Sequence, residues 1–266
     1  MSTYADVFRY RELFGNLFRR DLQAKYRGSA LGVLWTIANP VLLMGVYLLV
    51  FSVVLDARFG DIDHYPLFLL CGLAPWTFFA ASLQASTRSM LDNANLIRKT
   101  RFPRQLVPLA VVGAHVVAFA VMLAGLLVID FVVLPEVRGT EWLALPLACC
   151  FVAFVSGLGL AVASLNVLFR DVEFIVGALL LPWFFLTPVI YPLSGFAALE
   201  RHPTVVGILH WGNPVTPPIE AIRRPLFEGE LPRWGDTVYT IVAAVVALAV
   251  GAWVFRRVDD QIAIEV

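Results

Sequence analysis

The sequence predicts an all-α integral membrane protein: six transmembrane helices, an N-terminal amphipathic helix in the membrane interface, and short external or re-entrant helices between spans five and six. Three observations predict it. Mean hydropathy is +0.78 and charged residues make up 15% of the chain, whereas soluble domains carry about 25% charged residues. The apolar residues fall into blocks that meet the requirement of roughly 20 residues for a spanning helix. The basic residues gather in alternate connections between those blocks.

At the N-terminus, Tyr10, Leu13, Phe14, Leu17, Phe18, Leu22 and Tyr26 recur at helical spacing, while Arg9, Glu12, Asn16, Arg19, Arg20 and Gln23 take the other face. An aromatic apolar face opposite a basic one suits a helix lying in the cytoplasmic interface; a soluble helix packed on a partner is the alternative. The first thirty residues lack an apolar core and a small-residue cleavage site, so no secretory signal peptide is expected there and the N-terminus should stay in the cytoplasm.

The spans are expected at about 31–55, 66–86, 105–134, 142–168, 173–193 and 237–255. Pro75 in the second and Pro182 and Pro188 in the fifth are tolerated where neighbouring helices satisfy the freed backbone. With the N-terminus inside, cytoplasmic segments hold 14 Lys and Arg residues and outer segments six, which places both termini in the cytoplasm. The whole chain, 1–266, then reads as one membrane domain: an interface helix over 1–30, the six-span unit over 31–255 and a cytoplasmic tail over 256–266. The longest connection, 194–236, holds two short apolar pieces, Val205–Trp211 and Ile219–Phe227, with Asn213 and Pro214 placed as cap and first-turn residue of the second. Short external or re-entrant helices follow.

Composition also excludes functions. Formal net charge is zero, so no global basic field points to nucleic acid. Cys71, Cys149 and Cys150 lie in apolar stretches without metal-ligand spacing. No phosphate-cradling glycine loop accompanies either lysine, Lys25 or Lys99, so this chain is not expected to hydrolyse ATP. No hydrolase or metalloprotease motif occurs, and the four histidines are dispersed. His115 and Asp130 fall within or at the end of the third span, where an ionisable group is a candidate functional site. Structurally, Asp130 near the outer end can reach the headgroups and His115 can bond a neighbouring helix.

Aromatic residues form 13% of the chain. Trp76, Phe78, Phe79, Trp183, Phe184, Phe185 and Tyr191 cluster in spans two and five, where an interfacial belt and ordinary packing explain most such residues. An aromatic-lined path would also suit a sugar chain, because ring faces contact sugar C–H groups. The connection 87–104 is basic and contains Asn93, Leu96, Ile97, Lys99, Arg101, Phe102 and Pro103. It reads as a compact helical protrusion ending before the proline, or simply as inside positive charge.

Several stretches in order resemble the permease subunit of ABC-2 type polysaccharide exporters, the Wzm and TagG-like family that moves O-antigen, teichoic acid, capsule or galactan chains. They are Arg27-Gly28-Ser29 with Leu31-Gly32, Leu34-Trp35 and Pro40; Gly72-Leu73 with Pro75-Trp76 and Phe78-Phe79; Asn93, Leu96-Ile97, Lys99 and Phe102-Pro103 with Pro108; Arg170-Asp171; Thr187-Pro188-Val189-Ile190-Tyr191; and Asn213-Pro214 followed by Arg223.

The resemblance implies a homodimer of six-span subunits in the bacterial cytoplasmic (inner) membrane, joined to two copies of a separate ATPase that carries the ATP and Mg. No cofactor is expected in this chain. It implies that Asn93, Leu96, Ile97, Lys99, Arg101 and Phe102 belong to the principal coupling helix, with Arg170 and Asp171 in a second contact. The N-terminal helix becomes an interfacial gate and the external helices a cap at the exit. The implied cargo is a polyprenyl-pyrophosphate-linked polysaccharide, for which Lys25 and Arg27 are the expected point of admission and Trp76, Phe79, Trp183, Phe184 and Tyr191 the expected channel lining. Two readings compete with it: an ABC-2 exporter of a drug or small lipid, and a membrane enzyme of lipid-linked glycan assembly, which would need catalytic groups that the spans scarcely offer. An accessory membrane subunit would not need the basic Phe-Pro protrusion.

Overall fold

The computed structural model describes residues 10–26, 32, 34–47, 49–50, 62, 64–100, 102–133, 139–193 and 202–265. Among these there is no strand. The helices are α1 (Arg11–Tyr26), α2 (Leu34–Tyr47), α3 (Tyr65–Asp92), α4 (Ala94–Lys99), α5 (Leu106–Val133), α6 (Ala144–Leu168), α7 (Asp171–Leu186), α8 (Pro203–Gly207), α9 (Thr216–Arg223) and α10 (Trp234–Glu265). A 3-10 turn precedes α6, and π-helical turns follow α8 and α9.

Four stretches are long and apolar enough to cross a membrane: Tyr65–Asp92, Leu106–Asp130, Glu141–Leu168 and Trp234–Asp259. Their directions follow from two buried clusters. One end of the bundle gathers Leu17 of α1, Met90 of α3, Ile97 of α4, Leu106 of α5, Val167 of α6 and Phe255 of α10. This end is basic, with Arg98, Lys99, Arg170, Arg256 and Arg257 exposed. The opposite, distal end gathers Leu67 of α3, Leu126 of α5, Ala144 of α6 and Ile222 of α9. So α3, α6 and α10 run towards the basic end and α5 runs away from it. Since α6 and α10 run the same way, α7 and the segment after it must return the chain to the distal end.

Helix α6 is central because two of its glycines admit neighbours on different sides. A Cβ on Gly157 would stand 2.3 Å from the carbonyl carbon of Ala247 in α10, and one on Gly251 would stand 2.0 Å from the Gly157 oxygen. The backbones of α6 and α10 therefore touch, the close approach that small residues permit in membrane helix packing. Gly159 instead faces α3 and α5, where a Cβ would meet Ser86 Oγ at 2.9 Å and Val112 at 3.2 Å. The obstacle there is the tip of a rotatable serine, so Gly159→Ala is expected to lose no more than about 1 kcal/mol. A melting temperature unchanged within a few degrees checks this, and loss of the folded protein would contradict it.

Three expectations need correction. The fifth apolar block, expected as a helix over 173–193, is helical only to Leu186. Thr187 precedes Pro188 and adopts φ −95° and ψ 130°, the extended conformation that a following proline imposes. Val189 and Ile190 beyond it are apolar because they are buried, at 0% and 3% exposure, not because they are helical. Asn213 does not cap α9, which starts at Thr216 after Val215; its Oδ1 accepts the Val215 N–H at 3.1 Å, a turn that leads into the helix. Asp130 does not reach out to headgroups: it is 0% exposed, and neither carboxylate oxygen has a hydrogen-bond partner. His115 donates from Nδ1 to the Val111 carbonyl of its own helix at 2.9 Å. Much of the first expected span lies in α2, whereas 51–55 fall outside the described residues.

The amphipathic helix α1 forms as its periodicity predicts, with its apolar face turned inward. Leu17 is buried, Tyr10, Leu13, Phe14 and Phe18 pack against the basic-end cluster, and Phe14 and Phe18 lie over Gly113 of α5. Glu12, Asn16, Arg19 and Arg20 stay exposed. At the same end Arg257 stacks on Trp253 at 5.2 Å, as snorkelling bases do near a headgroup layer. Exposed Trp142, Trp211 and Trp234 mark the distal end with the aromatics expected of the other interface.

Candidate functional site

Two regions hold the residues singled out from the sequence. At the basic end α3 stops at Asp92, and Asn93 makes the corner into α4. Asn93 is 7% exposed, its Nδ2 donates to the Ser89 carbonyl at 2.8 Å, and its own carbonyl accepts the Leu96 and Ile97 amides at 3.0 and 3.1 Å. Ile97 is buried in the basic-end cluster, and Leu96 and Phe102 pack against it. These residues set the position of α4; Arg98 and Lys99 present charge to the outside. Arg170 and Asp171 are exposed at the opening of α7. Arg101 and Arg27 lie outside the described residues, as does the side chain of Lys25. Behind the protrusion, Arg104 Nη1 donates to the carbonyl and carboxylate of Asp259 at 2.6 and 3.0 Å, fastening it to α10.

Nearer the distal end, the aromatic residues expected to line a channel mostly pack on one another. Trp76, Phe79 and Phe184 are 6%, 0% and 5% exposed. Ring centroids lie 5.4 Å apart for Trp76–Phe79 and Trp76–Phe184, and 5.2 Å for Phe79–Trp183, within the range of favourable ring pairs. The cluster is the seam between α3 and α7. Trp183 and Tyr191 are half-buried and lie at its edge. Trp183 borders an open apolar groove of about 400 Å³ shared with Leu179, Leu186, Ile208 and Gly212.

The groove is framed by polar bonds that the sequence did not disclose. Trp183 Nε1 donates to Asn213 Oδ1 at 2.8 Å, and Asn213 Nδ2 donates to Thr187 Oγ1 at 2.9 Å. Tyr65 Oη donates to the Ile190 carbonyl at 2.7 Å, and Tyr191 Oη to the Phe185 carbonyl at 3.0 Å. Arg223 completes the fastening. It is 0% exposed, its Nη2 donates to the carbonyls of Pro188 and Val189 at 2.8 and 3.3 Å, its Nη1 meets Glu220 at 3.0 Å, and its guanidinium lies 4.0 Å over the Phe68 ring. Gly72 makes room, since a Cβ there would stand 2.3 Å from Arg223 Nη2. In sequence Arg223 is an outer-loop charge and the motif residue that follows Asn213-Pro214; its flat fork of donors is what lets it serve two carbonyls and a carboxylate together. Next to it Arg224 bonds Glu230 and Glu228, and the first contact holds the Glu230 carboxyl below its ordinary range while burial pushes Glu228 up.

Among the described residues no group of His, Cys, Asp and Glu could hold a metal. The arrangement is a helical bundle with a charged protrusion at one end and a hydrogen-bonded turn at the other.

Comparison with known proteins gives the family. Residues 12–227 match the family described as ABC-2 type transporter. The O-antigen export system permease protein RfbA of Myxococcus xanthus is 32% identical over 261 residues, 97% of this chain and 96% of that one. The protein of the same name from Klebsiella pneumoniae is 35% identical over 199 residues, 72% and 75% of the two chains. The polysialic acid transport protein KpsM of Escherichia coli is 22% identical over 249 residues, 92% of each. With its helical bundle and its likeness to permeases along nearly the whole length, this multi-pass membrane protein belongs to the ABC-2 type transporter family.

Proposed function

We propose that this chain is the transmembrane subunit of an ABC exporter that moves a lipid-linked polysaccharide out of the bacterial cytoplasm, powered by a separate ATPase. The observation that carries the reading is the near-full-length similarity to an O-antigen export permease, 97% of this chain against 96% of the relative. As a transport component the chain has no ATP site of its own, and ATP and Mg belong to the partner.

In this reading the basic end faces the cytoplasm, as the distribution of Lys and Arg favours. In this reading the chain crosses the membrane six times. Besides the four long spans, one crossing is assigned to the segment before α3, which contains α2, and one to the segment between α6 and α10, which contains α7. Both termini are then cytoplasmic in the inner membrane. The complex is a homodimer with two ATPase copies. Helix α7 supports the dimer, because it has a single buried residue, Phe184, while Phe174, Leu179, Leu181 and Phe185 are exposed.

The protrusion from Asn93 to Phe102 docks on the ATPase, with Arg170 and Asp171 as a second contact. Lys25 and Arg27, where α1 gives way to the first span, are suited to receive the pyrophosphate of a polyprenyl carrier. Trp183 and Tyr191 border the glycan path, and Trp76, Phe79 and Phe184 form its supporting wall. Export requires two arrangements of the bundle whose balance the nucleotide state of the ATPase shifts.

Co-purification with a co-expressed ABC ATPase subunit from the same organism, followed by ATP turnover in liposomes with and without lipid-linked polysaccharide, tests the reading. Turnover that responds to the glycan supports it. A stable complex answering only to a hydrophobic drug would favour a small-molecule exporter, and absence of any partner would point to an enzyme or accessory subunit. Reversing charge with Lys99→Glu and Arg101→Glu together is expected to cut export about tenfold or more while insertion is preserved. Undiminished export in that double variant would remove the coupling role from the protrusion.

A further inference from the structure

The two basic-end contacts sit on different elements: α4 hangs from the end of α3, whereas Arg170 and Asp171 open α7. Asn166 joins them. It lies in the last turn of α6 and is 0% exposed. Its Nδ2 donates to the Thr87 carbonyl of α3 at 2.9 Å, and its Oδ1 accepts the Glu173 N–H of α7 at 2.9 Å. Glu173 is the third residue of α7, in the turn whose amides have no acceptor within the helix, and Arg170 at the cap position supplies none. Asn166 therefore caps one helix while it grips another.

The surface repeats the connection. Arg88 of α3 stands 3.4 Å from Glu173 and 4.0 Å from Asp92. Such exposed pairs are weak, but the Asn166 side chain is 0% exposed and its bond to Thr87 is buried, so losing a partner strands its amide. From Thr87 to α4 the chain has no slack: α3 continues to Asp92, and the Asn93 corner is closed by its bond to Ser89.

We propose that Asn166 is a positioning residue that makes α4 and the Arg170–Asp171 corner a single rigid docking platform. A push delivered by the ATPase at either contact then moves α3, α6 and α7 as one body, and nucleotide energy reaches the bundle without sliding between the contacts. The identity of the partner rests on the exporter reading; the rigidity of the platform does not.

The test places nitroxide labels at the exposed Asn95 and Phe169 in a chain whose three cysteines are replaced by alanine, and measures their separation in lipid nanodiscs. In wild-type exporters diluted with unlabelled protomer, so that only one subunit of each dimer carries the pair, one narrow distance is expected, the same in nucleotide-free and ATP-bound states. Asn166→Ala should broaden it and lower glycan exported per ATP hydrolysed about tenfold while the ATPase still co-purifies. The milder Asn166→Ser, whose hydroxyl is too short to bridge both partners, should broaden it as well. A wild-type shift of about 5 Å, one helical turn, between nucleotide states overturns the proposal, as does either variant keeping the narrow distance. If neither variant accumulates, the comparison of wild-type states decides alone. Failure of the ATPase to bind the wild-type chain counts against the exporter reading, and label distances in the chain alone still score the platform.

Discussion

A leucine at Gly251 is expected to prevent the bundle from closing and to remove the folded protein from the membrane. The reason is the crossing of α6 and α10, where the nearest atom to a Gly251 Cβ is the Gly157 backbone oxygen at 2.0 Å. A side chain in the way could rotate, as Ser86 can opposite Gly159, but a helix backbone cannot. The two helices would have to move apart along a seam that includes Leu160, Val167, Phe255 and Val258, so the loss exceeds the roughly 1–3 kcal/mol of ordinary overpacking. Gly157→Leu should do the same, because its Cβ would meet Ala247 at 2.3 Å. Size-exclusion profiles of fluorescent fusions read the outcome directly. A monodisperse Gly251→Leu protein with wild-type melting would show that the crossing tolerates separation.

The second large effect is expected from Arg223→Met, which keeps an unbranched side chain and removes the donors. The carbonyls of Pro188 and Val189 lose the donor they share, Glu220 loses its 3.0 Å partner, and the Phe68 ring loses the cation above it. Stranding buried acceptors and breaking a buried charge contact together cost about 3–5 kcal/mol. The damage is confined to the distal end, so the ATPase should still bind at the basic end while export fails. Arg223→Lys should recover only part of it, since a point charge cannot present a fork to three oxygens. Normal export by Arg223→Met would mean that the reversal after α7 holds without its fastening.

The four long spans were legible because hydropathy reports burial in lipid and because each exceeds the length a bilayer requires. The same signal misled at 187–193, where Val189 and Ile190 are apolar for a packed turn and Pro188 had already ended the helix. Position along a span gives depth but not facing, which is why Asp130, near the outer end, was expected at the headgroups and lies instead at 0% exposure. Charge counting treated Arg223 as an outer-loop base; nothing local distinguishes a buried guanidinium from an exposed one, and only the cavity left by Gly72, some 150 residues earlier, makes its burial possible. Aromatic clustering in spans two and five was correct as proximity, since Trp76, Phe79, Trp183 and Phe184 meet, yet the meeting consumes most of their surface. Asn166 could have been noticed as an amide in an apolar span, but its two partners lie 79 residues before it and seven after.

Helix α7 has 16 residues, about 24 Å of helix against a hydrocarbon core of about 30 Å. If α7 makes the fifth crossing, as proposed, the turn at Thr187–Tyr191 begins about four residues short of the far side. For a polymer dense in hydroxyl groups the obstacle to leaving the cell is the thickness of oil in its way. In the six-crossing reading the helix of α7 covers only about four fifths of that thickness, and the buried turn after it supplies the rest.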